Sequence, residues 1–289
     1  MKQQSLIADY CELTKPRILG LVLVTTTLGY FLGGGGVSNV WHMMILLAGV
    51  TLVCAGSAAL NHYLERDADA LMERTQNRPI PQGRIAPQNA MLFGILLILT
   101  GVIVLTLSIN LLTAFLALLT AFLYVLVYTP MKRISWLNTT VGAIPGALPP
   151  MGGWAAATGD LSAGAWALFA IMFVWQHPHF YSIAWMCRDD YRQAGFKMLP
   201  VVHPDGASTF AQINVFAAVL IPISFLPVWL GISGGIYWAG AFGMGTFMLL
   251  KGFRLSYTKS IPDARELLKA SVIYIQLILI LIVVDHVIL

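Results

Sequence analysis

Long apolar stretches alternate with short polar ones along this chain, from residue 17 almost to its end. Each stretch runs for about 20 residues, enough for a helix to cross a hydrocarbon layer of roughly 30 Å. Lipid offers the backbone no hydrogen bonds, so stretches of this kind must be helical. The pattern predicts nine membrane spans, at 17–36, 41–64, 90–109, 111–130, 136–157, 163–187, 208–231, 234–253 and 267–288.

The fifth of these stretches, 136–157, is the least apolar. It contains three prolines and four glycines, and by composition it also fits a loop. If it crosses the membrane, we expect a broken helix buried among its neighbours, because freed backbone groups then need protein or water as partners.

The distribution of charge supports the fifth span. With nine spans, all 17 Lys and Arg residues fall on one side of the membrane, whereas the loops on the other side carry one acid, Asp160, and no base. Without the fifth span, the clusters at 132–133 and 188–197 would lie on opposite sides. By the positive-inside rule, the basic side and the N-terminus are cytoplasmic and the C-terminus is outside.

Composition agrees with this topology and narrows the function. Hydrophobic residues make up 58% of the chain and charged residues 10%, whereas a soluble domain is about 25% charged. The net charge of +4 resides in short loops, which fits membrane lipids and an anionic substrate rather than nucleic acid. The three cysteines have no metal-binding or redox spacing. We expect one all-α polytopic membrane domain over residues 1–289.

The longest cytoplasmic loop begins with polar residues at helical spacing. Asn61, Glu65 and Asp69 are four residues apart and therefore share one helix face. Carboxylate and carbonyl oxygens are the ligands that Mg²⁺ prefers, and Mg²⁺ commonly bridges them to substrate phosphates. Three arginines suited to phosphate follow, at Arg74, Arg78 and Arg84. The alternative is a solvated helix end with i,i+4 ion pairs, which explains less well a polar Asn61 at the end of an apolar run.

A second charged loop follows the sixth span. Asp189 and Asp190 are candidates to hold a second ion opposite the first cluster, with Arg192 and Lys197 directed toward phosphate. Surface loops often contain such runs, so the prediction depends on this loop lying on the same side of the membrane as the first.

Further candidates lie at or inside the spans. Tyr128 and Lys132 project from the cytoplasmic end of the fourth span, where a lysine also commonly snorkels and anchors a helix. His177 and His179 lie inside the otherwise apolar sixth span, where polar groups are functional candidates. The alternative for each histidine is a neutral, hydrogen-bonded side chain between helices.

Together these segments resemble the intramembrane aromatic prenyltransferase superfamily and, within it, its heme-farnesylating branch, the protoheme IX farnesyltransferases. The Asn61/Glu65/Asp69 stripe resembles the superfamily's first aspartate-rich motif, with Glu65 in place of the commoner Asp. The segments that resemble the heme branch are Met72-Glu-Arg-Thr75 with Arg78, Tyr128-Thr-Pro-Met-Lys-Arg133, Val141 to Pro150 with Gly153-Trp154, Trp175-Gln-His-Pro-His-Phe180, and Asp190-Tyr-Arg-Gln-Ala-Gly195 with Met198-Leu-Pro-Val201.

The resemblance implies a fold of about nine helices around a central apolar cavity that opens near the cytoplasmic side, in a bacterial cytoplasmic (inner) membrane. The implied reaction transfers farnesyl from farnesyl diphosphate to a vinyl group of heme b, with addition of water, giving heme O. The implied cofactor is Mg²⁺, and heme b is a substrate. A heme-processing or oxidase-assembly protein is a further partner that the resemblance implies.

The implied site comprises a metal-binding and a substrate-binding set. Metal ligands would come from Asn61, Glu65, Asp69, Asp189 and Asp190, with Lys132 also catalytic. Substrate would contact Arg66, Arg74, Arg78, Tyr128, Arg192, Lys197, His177 and His179. The chain departs from the superfamily's second DxxxD motif, because Met186 stands four residues before Asp190. This departure leaves open which aspartate of the second loop holds metal.

Two rival functions remain at this point. A sister prenyltransferase acting on a quinone precursor such as 4-hydroxybenzoate would share the metal–diphosphate site but would need no histidines in the sixth span. A secondary transporter would typically carry discontinuous helices in both halves, whereas this chain has one candidate, the fifth span.

Overall fold

The computed structural model describes residues 5–35 and 39–288, so Lys2 of the basic set and Gly36 at the end of the first predicted span lie outside them. Within these ranges the chain forms helices and connections, without a β-strand. The helices are α1 (Leu6–Leu13), α2 (Pro16–Tyr30), α3 (Val40–Asp69), α4 (Pro87–Ser108), α5 (Leu111–Phe122), α6 (Thr129–Met131), α7 (Asn138–Thr158), α8 (Ala163–Met186), α9 (Arg188–Gln193), α10 (Leu199–Val202), α11 (Ala207–Ile223), α12 (Leu226–Trp229), α13 (Gly235–Thr258) and α14 (Ile261–Ile288). Two π-helical stretches, Phe31–Gly35 and Leu123–Tyr128, continue α2 and join α5 to α6.

Six helical segments of the described chain are long and apolar enough to cross a membrane. They are Pro16–Gly34, Val40–Asp69, Pro87–Ser108, Leu111–Met131, Ala207–Trp229 and Ile261–Ile288. The other three predicted spans also form helices, α7, α8 and α13, but these do not meet the same criterion of length and composition. Helical structure is thus confirmed at all nine predicted positions, while the number of membrane crossings stays a prediction.

Helix α7 contains the proline-rich fifth stretch and is continuous. Pro145, Pro149 and Pro150 all lie inside it, so the expected break in this segment is wrong. Proline removes a backbone donor and crowds the preceding turn, which is tolerated here because α7 is packed among α2, α5 and α8.

Glycines allow α7 to approach its neighbours closely. A Cβ at Gly153 would overlap the carbonyl oxygen of Thr26 in α2, and a Cβ at Gly29 of α2 would overlap that of Pro150. Gly146 of α7 likewise leaves room for the amide of Gln176 in α8. Small residues at such crossings are typical of helices that pack within lipid.

The long helices surround a cavity of about 1040 Å³, lined mainly by α2, α3, α5, α7 and α8. Helix α8 also packs against α11 and α14, and α14 contacts α2. Hydrogen bonds and an ion pair connect three of the basic clusters to the end of α3 or to one another. Lys15 contacts Asn61, Lys132 contacts Glu65, and the Lys197 N–H donates to the Lys132 carbonyl. These clusters therefore meet at one end of the bundle.

The close contact between α2 and α7 generates a test with adjacent glycines. We expect Gly153→Ala to destabilise the protein by about 1–3 kcal/mol, because the added methyl meets backbone rather than a movable side chain. An added Cβ at Gly152 has no neighbour within 4 Å, so Gly152→Ala should be neutral or slightly stabilising. Thermal unfolding in detergent measures the stability of both variants, and equal melting temperatures would contradict the close contact between α2 and α7.

Candidate functional site

The predicted polar stripe occupies the last turns of α3. Asn61, Glu65 and Asp69 are 0%, 5% and 0% exposed. At 30 residues, α3 is about 45 Å long and exceeds the hydrocarbon thickness by several turns, so its polar end can lie beyond the apolar layer. The alternative of a solvated helix end is wrong, because all three side chains are buried.

Each residue of the stripe contacts one cation from a different part of the chain. Lys15 Nζ lies 2.6 Å from Asn61 Oδ1. The other two distances are 2.7 Å each, from Lys132 Nζ to Glu65 Oε1 and from Arg78 Nη1 to Asp69 Oδ2. Buried carboxylates require such compensation, since burial without a partner is strongly unfavourable. The structure thus brings together the predicted acids, Lys132 and Arg78.

Lys132 follows the π-helical stretch Leu123–Tyr128, which turns two tyrosines toward the site. The rings of Tyr124 and Tyr128 are stacked with centroids 5.7 Å apart, and Lys132 Nζ lies 4.8 Å from the Tyr128 centroid. Burial opposes the charged form of Lys132, but the charge and hydrogen bond of Glu65, together with Tyr128 and Tyr124, raise the pKa of the lysine overall. π-Helical turns are frequently found at functional sites.

The loop after α3 folds back and presents Arg78 to Asp69. The hydroxyl of Thr75 donates to the Asp69 carbonyl and holds this turn. Arg74 lines the cavity, with its guanidinium 5.8 Å from the centroid of Tyr191. Arg84, which was a candidate for phosphate, instead pairs with Asp9 and Glu12 in the α1 helix, and its prediction as a phosphate donor is not supported by this placement.

Most charges of the second loop lie outside the cavity. Asp189 is exposed and pairs with Arg192 at 2.6 Å, while Asp190 and Lys197 are absent from the cavity lining in the described chain. The loop contributes Tyr191 and Phe196 to the lining instead. Arg66 also faces away, toward the Tyr63 carbonyl. No group of three or more His, Cys, Asp and Glu side chains within residues 5–35 and 39–288 is close enough to hold a metal, so the second-loop ligands stay a prediction.

The two predicted histidines occupy different environments. His177 is fully buried between helices, where Nδ1 contacts the Phe173 carbonyl, Nε2 contacts Thr140 Oγ1, and the ring stacks on Phe216. His177 therefore fits the alternative of a hydrogen-bonded side chain between helices, and it does not line the cavity in the described chain. His179 does line it, and its Nδ1 lies 2.8 Å from Ser271 Oγ. Ser271 thereby fixes the orientation of the His179 ring.

The cavity residues that sequence reasoning missed as members of the site include Lys15, His62, Tyr124 and Trp175. Tyr124 had a detectable signal, because it precedes Tyr128 by one helical turn. Both ring nitrogens of His62 are buried without a hydrogen-bond partner in the described chain. Burial lowers the pKa of the Lys15 ammonium to about 7, and the nearby Arg78 charge acts in the same direction.

The oxygens of the stripe fit a hard divalent cation. Asp69 Oδ1 is buried and has no hydrogen-bond partner among the described residues, while Oδ2 pairs with Arg78. Together with the Glu65 carboxylate and the Asn61 carbonyl, this oxygen makes a donor set of the kind that Mg²⁺ prefers. The residues present therefore fit a magnesium site.

The cavity has one charged end and an apolar interior. Five cations and three carboxylates line it: Lys15, Arg17, Arg74, Arg78 and Lys132 against Glu12, Glu65 and Asp69. An excess of positive charge favours an anionic ligand at this end. Its volume lies at the upper limit of ordinary small-molecule pockets, and the rest of its wall is largely apolar and aromatic. The arrangement suits a ligand with an anionic head and an apolar body.

Known proteins are similar to this chain over nearly its whole length. Residues 22–275 match the UbiA prenyltransferase family. A protoheme IX farnesyltransferase from Solibacter usitatus is 46% identical over 288 residues, covering 96% of this chain and 98% of the relative. One from Salinibacter ruber is 46% identical over 281 residues, with the same coverage of both chains, and one from Koribacter versatilis is 43% identical over 292 residues, covering 98% and 94%.

Solved structures share the fold. A digeranylgeranylglyceryl phosphate synthase superposes with a TM-score of 0.83 at 17% identity, covering 99% of this chain and all of that one. A UbiA homolog from Archaeoglobus fulgidus bound to DMAPP and Mg²⁺ gives a TM-score of 0.66 at 17% identity, covering 97% and 100%. These similarities extend to the complete helical domain.

The buried pair between Lys132 and Glu65 can be tested by a double-mutant cycle. Lys132→Met should cost about 3 kcal/mol of stability, because it leaves the Glu65 carboxylate buried without its partner. Adding Glu65→Gln should recover most of that loss, since an amide tolerates an apolar neighbour better than a carboxylate does. Thermal unfolding in detergent provides the measurement, and additive losses in the double variant would show that the two side chains are not coupled.

Proposed function

Because the chain belongs to the UbiA prenyltransferase family, we propose that it transfers farnesyl from farnesyl diphosphate to a vinyl group of heme b, with addition of water, giving heme O and diphosphate. The observation that carries this proposal is the buried Asn61/Glu65/Asp69 stripe with its cations at the charged end of an apolar cavity. The heme specificity is supported by the relatives named protoheme IX farnesyltransferase.

The charged end would bind the diphosphate head. Asn61, Glu65 and Asp69 would hold Mg²⁺, which supplies charge stabilisation to the departing diphosphate. Arg74, Arg78 and Lys132 line the same end and would donate to the diphosphate oxygens. As the C–O bond ionises, the electron pair leaves with the diphosphate, so fixed positive charge at this end lowers the barrier.

The cavity wall would stabilise the allylic cation left behind. Tyr124 and Tyr128 are stacked beside Lys132, and Trp175 and Phe180 line the cavity from α8. The π-faces of aromatic rings attract cations, and an apolar wall excludes bulk water that would otherwise quench the farnesyl cation. The terminal vinyl carbon of heme b then bonds to the farnesyl carbon, charge passes to the carbon attached to the porphyrin, and water adds there with loss of a proton.

His179 would position the porphyrin. Its ring is stacked on Trp175 with centroids 4.9 Å apart, and its Nδ1 contacts Ser271, which leaves Nε2 as the nitrogen available to a ligand. A histidine nitrogen oriented through its other ring nitrogen is a common ligand of heme iron. Asp189 and Asp190 stay predicted metal ligands, and Arg66, Arg192, Lys197 and His177 stay predicted substrate contacts; none of these six residues lines the cavity in the described chain.

The six apolar helices and the family identify an integral membrane protein. We further propose that it lies in the bacterial cytoplasmic membrane with its N-terminus and diphosphate site on the cytoplasmic side. This orientation follows from the one-sided distribution of Lys and Arg. A heme-processing or oxidase-assembly protein would be its partner in supplying heme b or receiving heme O.

The reaction itself can be tested with membranes that contain the protein. Incubation with heme b, farnesyl diphosphate and Mg²⁺ should yield heme O, detected by mass. A parallel incubation with 4-hydroxybenzoate should yield no prenylated product. Formation of a prenylated 4-hydroxybenzoate without heme O would favour the quinone-precursor alternative and overturn the heme proposal.

The role of the stripe predicts a large effect at Asp69. Asp69→Asn should lower kcat/KM for heme O formation by at least about a hundredfold, because it removes the buried negative charge that pairs with Arg78 and replaces one carboxylate oxygen by an amide nitrogen. Asp67→Asn is the matched control: Asp67 lies on the same helix, but its side chain is 73% exposed. Its activity should stay near that of the unmodified protein, and equal losses in the two variants would refute the assignment.

The two histidines are expected to differ in what they control. His179→Gln should raise KM for heme b by about tenfold and leave KM for farnesyl diphosphate nearly unchanged, which corresponds to the loss of about 1.4 kcal/mol of heme binding. His177→Gln should lower thermal stability, because it disrupts the contacts with Phe173, Thr140 and Phe216. Steady-state kinetics and unfolding of both variants measure this difference, and a heme-specific defect in His177→Gln alone would reverse the assignment.

A further inference from the structure

Lys15 has an unusual backbone conformation just before the first long helix. It lies between α1 and α2 with φ 51° and ψ 63°, in the left-handed region that disfavours residues with a Cβ. Pro16 follows, and a residue before proline is restricted further. A lysine in such a position costs free energy, and strain of this kind commonly persists where the side chain has a function.

The side chain of Lys15 extends into the cavity. Its Nζ lies 2.6 Å from Asn61 Oδ1 and 3.4 Å from the Tyr124 hydroxyl, and Lys15 is part of the cavity lining. A lysine at the end of a membrane helix ordinarily extends its charge toward water. Here the backbone at Lys15 is left-handed, and the side chain points inward, so that its Nζ lies beside the polar stripe.

Hydrogen bonds fix the orientation of the Asn61 amide that Lys15 contacts. The Thr129 hydroxyl donates to the Tyr124 carbonyl, so its oxygen accepts from Asn61 Nδ2 at 3.0 Å. The amide oxygen of Asn61 therefore faces Lys15, which has three N–H donors. Asn61 and Tyr124 together accept at most two of these donors, which leaves at least one for a ligand.

The charge of Lys15 is not compensated in the way that its neighbours are. Lys132 and Arg78 each form an ion pair with a carboxylate of the stripe. Within residues 5–35 and 39–288, Lys15 forms no ion pair, and its contacts are with the neutral oxygens of Asn61 and Tyr124. A partly buried amine without an anionic partner gains its full charge when an anion binds beside it, so this position favours an anion from outside.

We propose that Lys15 is a further diphosphate-binding residue, which donates to an oxygen of the prenyl diphosphate beside Asn61. This inference rests on the proposed function for the identity of the prenyl substrate, but the binding of a diphosphate group can be measured separately. The cations of the site then come from three parts of the chain: Lys15 before α2, Arg74 and Arg78 after α3, and Lys132 after α6. A positioning role alone, in which Lys15 only orients Asn61, is the alternative.

Three substitutions separate these two roles. Lys15→Met removes both the charge and the hydrogen bond, Lys15→Gln retains a donor for Asn61 without the charge, and Lys15→Arg retains the charge. Lys269→Met is the control, because Lys269 is exposed and pairs with Glu266 within its own helix. The probe is inorganic diphosphate with Mg²⁺, measured by calorimetry on the full chain in detergent and by inhibition of heme O formation.

We expect Lys15→Met and Lys15→Gln to weaken diphosphate binding by about tenfold, the size of one charge-assisted hydrogen bond. KM for farnesyl diphosphate should rise in parallel, while KM for heme b stays within about twofold. Lys15→Arg should bind diphosphate more tightly than Lys15→Gln, and Lys269→Met should match the unmodified protein.

The result that would overturn the proposal is diphosphate binding by Lys15→Gln equal to that of the unmodified protein, since that outcome shows a positioning role alone. Because Lys15→Gln retains a polar N–H donor on the side of Asn61, it also serves if Lys15→Met fails to fold. Failure of the unmodified protein to form heme O would refute the proposed function, whereas the calorimetric comparison would still decide the role of Lys15.

Discussion

Burial of two carboxylates at the end of a membrane helix is the constraint on which the rest of this structure depends. Glu65 and Asp69 can be buried only because Lys132 and Arg78 approach within 2.7 Å. Those cations come from segments far apart in the chain, the loop after α3 and the turn after α6. The requirement for compensation therefore places both segments against the end of α3.

The close packing of α7 forms the wall of the cavity opposite the buried carboxylates. Gly29 and Gly153 allow α2 and α7 to meet at backbone distance, and Gly146 admits the amide of Gln176 from α8. Because these helices meet so closely, they form a continuous wall, and the cavity lies on the side of α7 that faces α3 and α5. A segment that by composition fits a loop thus becomes a structural wall.

Much of this structure could be predicted from local patterns. The length of the apolar runs predicted the helices, and the i,i+4 spacing of Asn61, Glu65 and Asp69 predicted a shared face. Contacts between distant segments could not be predicted in this way. His177 and His179 are two residues apart on one helix, so they face different directions, but the sequence does not tell which direction is the cavity. The role of Lys15 depends on a left-handed turn and a contact with Asn61, 46 residues away. Asp189 and Arg192 form a local surface pair, an outcome that competes with metal binding in any charged loop.

The distribution of charge between the two ends of the cavity links topology to chemistry. A substrate with a diphosphate head and a long apolar tail gains from a cavity with the same division, because its head finds fixed cations while its tail leaves water. In a membrane protein, a cavity with one polar end and an apolar interior follows largely from the helices themselves. The polar ends of the helices already lie at the lipid–water boundary, and their apolar bodies already exclude water. The sequence must add a set of cations at the polar end. Compensation of the stripe explains why Lys132 and Arg78 lie there, within reach of the anionic head in the proposed reaction.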